Sequence, residues 1–235
     1  MKNKILSALL VGTILALAAP AQAATTIVFT GVDVAHNSWS AYLGGVTALS
    51  GQDITSQDGW LARAAIGYGE YDYDRPGILS DVDGDYTDGD LMIGYGHSFG
   101  NGRVSAYLGG NYQHHDLSPD DPLNEVEGGE GGVKGQLEFR LAPVDHVTVN
   151  AIGSYSTAFE NYWSRLDVGY NFGGFSVGPE VGLYGNDEFN AARFGGQIRD
   201  IDLGFAAMDL HGGWVNSNRR DGDGGYGALG FSKLF

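Results

Sequence analysis

Two histidine–serine pairs are the residues closest to chemistry in this chain of 235 residues. In His36-Asn37-Ser38 the two-residue spacing puts both side chains on one face of an extended strand, whereas in His97-Ser98 they point to opposite faces. A serine nucleophile needs a base within reach and a third group to orient that base. The sequence offers no distinct third partner for either pair. Lipid hydrolysis through His36 and Ser38 is therefore kept as an alternative, and no catalytic residue is assigned. Asp81-Val82-Asp83-Gly84-Asp85 carries the alternating carboxylates of a calcium loop, but Tyr86 stands where an EF-hand needs glycine and Met92 where it needs glutamate. His114 and His115 are adjacent, so on a strand their side chains diverge. No metal site and no cofactor is predicted.

A larger set of charges recurs at period two. Arg63, Arg103, Lys134, Arg140, Arg165, Arg193 and Arg199 alternate with apolar residues, and Asp90, Glu138, Asp167, Glu180 and Asp209 fall on the same half. Both signs on one face predict ion-paired ladders across adjacent strands. A charged constriction that selects solutes is the functional use of such a face; the near cancellation of charge favours pairing. Tyr71, Tyr73, Tyr107, Trp163 and Tyr184 share this half, where they could stack on sugar rings, pack an interior or form an interfacial girdle. The candidate ligand contacts are Arg63, Tyr107, Trp163, Arg165, Glu180, Tyr184 and Arg193.

These residues need strands to position them, and the composition supplies strands: 39 Gly, 13 Tyr and 11 Phe with only 18% charged residues. Such a balance suits membrane strands, in which every second residue meets lipid. In Gly102 to His115, Val104, Ala106, Leu108, Gly110 and Tyr112 oppose Arg103, Ser105, Tyr107, Asn111 and Gln113. Val133 to Leu141 and Val147 to Phe159 repeat the pattern. The reading is a single all-β domain, residues 24–235, forming an antiparallel transmembrane barrel of about twelve strands, with ten also even: 26–35, 38–49, 60–73, 86–98, 103–116, 132–142, 146–159, 162–172, 175–185, 190–200, 203–216 and 225–235. Tight turns near 99–102, 142–145, 172–174 and 200–202 alternate with long acidic loops at 74–85, 116–131 and 215–224, as in a barrel with short periplasmic turns and long outer loops. Gly51 to Asp58 is long for a periplasmic turn, and Phe159 to Asn161 short for an outer loop. Pro179 should mark a bulge or register break, because proline cannot donate to a ladder.

Residues 1–23 read as a secretory signal: Lys2 and Lys4, an apolar run from Ile5 to Ala19, and a small-residue cleavage site at Ala21-Gln22-Ala23. The other end alternates up to Phe235, similar to the closing strand that the barrel assembly machinery reads in bacterial outer-membrane barrels. Together they predict the outer membrane, with its lipid and lipopolysaccharide as neighbours; divalent cations could bridge the acidic loops to the latter. The net charge of −16, made more negative once the signal leaves, excludes nucleic acid as a partner. With no cysteine, strand pairing and packing must hold the fold.

Several stretches resemble the alphaproteobacterial cellulose biosynthesis protein BcsS family. They are Phe29 to Asp33 followed by Ser38 to Val46, Asp58-Gly-Trp-Leu-Ala-Arg63 leading to Gly67-Tyr-Gly-Glu-Tyr-Asp-Tyr73, Gly178-Pro-Glu-Val-Gly182 with Gly185-Asn186, and Arg193-Phe-Gly-Gly196. The resemblance implies a non-enzymatic outer-membrane accessory to bacterial cellulose biosynthesis, export or anchoring, with cellulose or cellulose synthase components as partners and no catalytic residues to carry over. The acidic stretch Ser118 to Gly132 departs from the family pattern. A general small-solute porin is the alternative, and a soluble periplasmic glycan-binding sheet a more distant one.

Overall fold

The computed structural model describes residues 24–74, 81–219 and 222–235. The proposed signal at 1–23 lies outside them, as do parts of the acidic loops at 74–85 and 215–224. Twelve antiparallel strands close into one barrel. They are β1 (Thr26–Ala35), β2 (Ser38–Ala48), β3 (Gly59–Tyr73), β4 (Val82–Phe99), β5 (Gly102–Ser118), β6 (Gly128–Val144), β7 (Val147–Ser156), β8 (Tyr162–Asn171), β9 (Ser176–Asn186), β10 (Phe189–Asp202), β11 (Ala207–Ser217) and β12 (Gly224–Leu234). Each strand pairs with its sequence neighbours, and β1 closes the ring on β12 with Thr30 opposite Phe231.

Alternation explains the closure. Outward positions carry Ile66, Leu91, Ile93, Leu108, Leu137 and Leu183, all well exposed on the isolated chain and therefore set to meet lipid. Aromatic residues edge this band at both ends. Trp60, Tyr95, Tyr170 and Phe172 lie toward the end bearing both termini; Tyr68, Tyr112, Tyr155 and Trp214 lie toward the far end. Such rings favour the membrane–water boundary. Transmembrane strands with this girdled band are what the alternation predicts.

The turn read at 200–202 lies instead at 203–206, because β10 runs on to Asp202 and the Leu203 N–H closes the turn on the Ala206 carbonyl. Three further features differ from the sequence reading. β4, β5 and β6 run 18, 17 and 17 residues, against 10 in β1, β7 and β8. Their extra length lies beyond the apolar band at the far end and absorbs residues read as loop. Asp83 and Asp85 thus lie on strand β4, because Val82 and Gly84 between them turn inward and are buried; this segment is not a calcium loop. Second, β7 stops at Ser156, and a 3-10 turn at Ala158–Glu160 folds inward with Phe159 at φ 51°. Third, Pro179 causes no bulge. It pairs opposite Gly196 in unbroken register with β10. Toward β8 the ladder lapses beside it and resumes in the same register, from Asp167↔Glu180 to Tyr170↔Val177. The register shifts fall elsewhere, at Leu141/Val144 and Ile198/Ile201.

The long connection at 49–58 is explained by its packing. Ile54 is 4% exposed and joins Val46, Ala48, Leu61, Met92 and Tyr107 in an apolar cluster, with Ile27 and Phe29 against it. The loop therefore folds across the terminal end of the bore. Asp58 fastens it: its carboxylate accepts the Ser98 N–H at 2.7 Å and meets His97 Nδ1 at 2.6 Å, while Arg103 Nη1 donates to the Gln57 carbonyl at 2.9 Å.

Candidate functional site: the lumen

Every residue predicted to contact a ligand sits on the inward parity of its strand, and the lumen divides into two charged walls. On one, Asp90 of β4 takes both Arg63 of β3 and Lys134 of β6, the latter at 2.6 Å. On the other, Asp167 of β8 accepts Asn150 Nδ2 at 2.8 Å and Arg199 Nη1 of β10 at 3.1 Å, with Arg165 Nε 3.9 Å away. Arg199 Nε also lies 3.5 Å from Asp209 of β11. Removing one partner from such a buried pair typically costs about 3–5 kcal/mol, because the other charge is stranded.

The pairing differs from the adjacent-strand ladders that the sequence suggests. Lys134 crosses β5 to reach Asp90. Glu180 of β9 crosses β10 to meet His211 Nδ1 of β11 at 2.6 Å, and accepts the Tyr226 hydroxyl of β12 at 2.5 Å. Glycine makes these crossings possible. Glu180, Gly195, Gly213 and Tyr226 follow one another across four strands. A Cβ on Gly195 would lie 2.3 Å from the Tyr226 hydroxyl, so the tyrosine can lie flat along the wall only over glycine. Gly94 bears the same relation to Tyr107, whose ring would be 2.3 Å from an added Cβ. Tyr107 itself is enclosed in the apolar cluster around Ile54.

Arg193 also reaches past two strands. Its Nη1 donates to Asp33 Oδ2 at 2.6 Å, from β10 to β1, and its guanidinium lies 4.7 Å from the ring centres of both Tyr184 and Tyr226. Arg165 stands 5.5 Å from the ring of Trp163. Between the walls Tyr42 faces inward yet remains 41% exposed, within electrostatic range of Arg165, Asp33, Asp209 and Arg199.

Toward the far end the rings join into a collar. Phe159 meets His115 edge-on at 5.2 Å, His115 stacks on Tyr86 at 5.4 Å, and Tyr71 links Tyr86 to Tyr73 at 6.4 and 6.2 Å. Arg219 lies 4.2 Å from the Tyr73 ring centre and 5.4 Å from that of Phe189, which contacts Tyr184 at 5.9 Å. The segment 119–127 covers this collar. The Tyr73 hydroxyl donates to Asp121 Oδ2 at 2.9 Å and accepts Asn124 Nδ2 at 2.7 Å; the Glu125 N–H donates to Glu188 at 2.9 Å. Since β3 and the β9–β10 turn stand half a circuit apart in the ring, the segment spans the mouth.

Sequence reasoning missed Asp33, Tyr42, His211 and Tyr226. Asp33 shares its parity with Ile27 and Phe29, which are also inward, so β1 has no polar face to announce it. Neither histidine–serine pair forms a dyad. His36 occupies the β1–β2 turn with no hydrogen bond to Ser38 among the described residues. His97 does acquire a carboxylate partner, Asp58, but it faces outward, while the Ser98 hydroxyl accepts from Arg103 Nη1 at 2.8 Å on the inward side. At the closing seam the Phe235 carbonyl accepts the Thr25 and Thr26 N–H groups at 2.7 and 3.1 Å.

Residues 27–235 match the family described as cellulose biosynthesis protein BcsS. The chain belongs to that family. The match runs through all twelve strands of the barrel, starting at the second residue of β1. Among solved structures, the β-domain of the Bordetella autotransporter BrkA is similar at a TM-score of 0.53 and 13% identity, covering 91% of this chain and 100% of that one. A KdgM porin aligns at a TM-score of 0.49 and 9% identity, over 89% and 99%. The BrkA likeness concerns the fold alone. No curated protein matches this BcsS chain in sequence.

Proposed function

We propose that this barrel resides in the bacterial outer membrane and assists cellulose production by anchoring it at the cell surface rather than by conducting the polymer. The observation that carries this reading is that the chain's own segments fold over both ends of the bore. Ile54 packs into the apolar cluster at the terminal end, which would face the periplasm, and 119–127 spans the far end, which would face outward. Between them Arg193, Lys134 and Glu180 reach over intervening strands to their partners. These side chains take up space inside the bore that a glucan would need, and each buried pair costs several kcal/mol to break. The role is non-enzymatic: Arg63, Trp163, Arg165, Glu180, Tyr184 and Arg193 act as structural pairs or binding contacts. Phe235 serves as the signal for the barrel assembly machinery, residues 1–23 as the cleaved export signal, and cellulose or its synthase components as partners.

Deleting the protein should reduce surface-retained cellulose, and purified barrel in planar bilayers should show no current that cello-oligosaccharides block. Such a blockable current would return the polymer-conduit reading. A small-solute porin is favoured by one observation, the unfilled space that leaves Tyr42 41% uncovered inside the bore. Steady conductance indifferent to cello-oligosaccharides, with cellulose output unchanged on deletion, would support it instead.

A further inference from the structure

The collar at the far end is held to its cover by polar contacts. Aromatic rings in a small barrel ordinarily pack against one another or against apolar side chains. Here the cover buries Val126 but is fastened by Asp121 and Asn124 on the Tyr73 hydroxyl and by the Glu125 N–H on Glu188. These are hydrogen bonds at the edge of a ring surface, the mode by which a sugar ring engages an aromatic site: apolar C–H faces on the rings and hydroxyls toward polar neighbours. The Arg219 guanidinium lies over Tyr73, and that of Arg193, paired with Asp33, over Tyr184 and Tyr226, so cationic groups flank the same circle of rings.

We propose that the collar is a carbohydrate-binding site for a glucan chain approaching from the far end, and that 119–127 is a lid occupying it in the unliganded state. This rests on the anchoring role above and gives it a physical point of attachment. When the lid lifts, its Asp121 and Asn124 release the Tyr73 hydroxyl, and the Tyr71, Tyr73 and Tyr86 rings become the platform.

Substitutions at Tyr73 separate lid from platform. Tyr73→Phe keeps the ring but removes the hydroxyl that two lid residues share. Losing that latch should tighten cellopentaose binding about tenfold, the equivalent of one or two ordinary hydrogen bonds. Replacing 119–127 by a short Gly-Ser connection should tighten it at least as much. Tyr86→Ala, at a side chain with no hydrogen bond to the lid among the described residues, should weaken binding in the lid-shortened background by about tenfold. The measurement is isothermal titration of cellopentaose into each detergent-solubilised variant, with folding checked by circular dichroism. If the folded, lid-shortened barrel binds cellopentaose no better than wild type, the collar is packing and the proposal falls. If it binds while a deletion strain retains normal cellulose, the site stands and the anchoring role fails.

Discussion

The two mouths of this barrel are closed by different physics. At the terminal end the 49–58 connection inserts one aliphatic side chain, Ile54, into a cluster that includes Leu61, Met92 and Tyr107. At the far end 119–127 also buries one aliphatic side chain, Val126, but is fastened to the collar through a tyrosine hydroxyl, a carboxylate and a carboxamide. An apolar plug draws its stability from area removed from water, and lifting it re-exposes that area. A hydrogen-bonded cover exchanges its bonds for equivalent ones with water or a ligand, so its net contribution is about 1 kcal/mol per bond. Both ends mix the two, and the hydrogen bonds on the Tyr73 hydroxyl make the far end the easier to open.

That contrast can be broken or sharpened by substitution. The largest effect is expected from Asp90→Ala. Asp90 lies two residues from Met92 on β4, so its network with Arg63 and Lys134 roofs the terminal plug. Stranding both cations should cost about 3–5 kcal/mol in urea unfolding from vesicles, and loss of proteolytic protection should appear at 49–58 before 119–127. Ile54→Ala should follow, at about 2–4 kcal/mol from lost contact and cavity. A loss as small as that at Asn124 would show the plug to be no firmer than the lid. Asn124→Ala should cost about 1 kcal/mol and raise hydrogen exchange along 119–127 while leaving 49–58 protected.

The smallest effect is a pH dependence at the terminal latch. The Ser98 N–H, and after it the His97 side chain, hold the Asp58 carboxyl below the usual carboxylate range. A lowered carboxylate contributes most above its unfolded pKa of about 3.9, and the contribution is lost as pH falls through the lower folded value. Protection of the Ser98 amide should therefore persist down to about pH 4 and decline below it. Loss of protection already at neutral pH would mean that the carboxylate bond is not what holds this end.

The strands were legible because alternation is local. Val104 against Arg103, or Leu137 against Gln136, fixes a face without knowledge of the partner strand, and register follows from which face lipid takes. The ring of twelve and the inward Arg63, Arg165 and Arg193 could be read this way. Ile54 and Asp121 could not. Both lie in connections whose polarity suggested solvent, and their burial depends on strands far away in sequence. The ion pairs were half legible: charge balance pointed to pairing, but the partners depend on where glycine leaves the inner wall bare, as Gly195 does for Tyr226.

The seam between β1 and β12 carries a consequence for how this molecule comes into being. Ile27 lies opposite Leu234, a separation of nearly the whole chain, so no zippering along the polypeptide can complete the circle. Until that last ladder forms, an intermediate carries two open edges primed to pair with any neighbouring strand. Maturation of this wall is therefore a race between self-sealing and recruitment of a stranger.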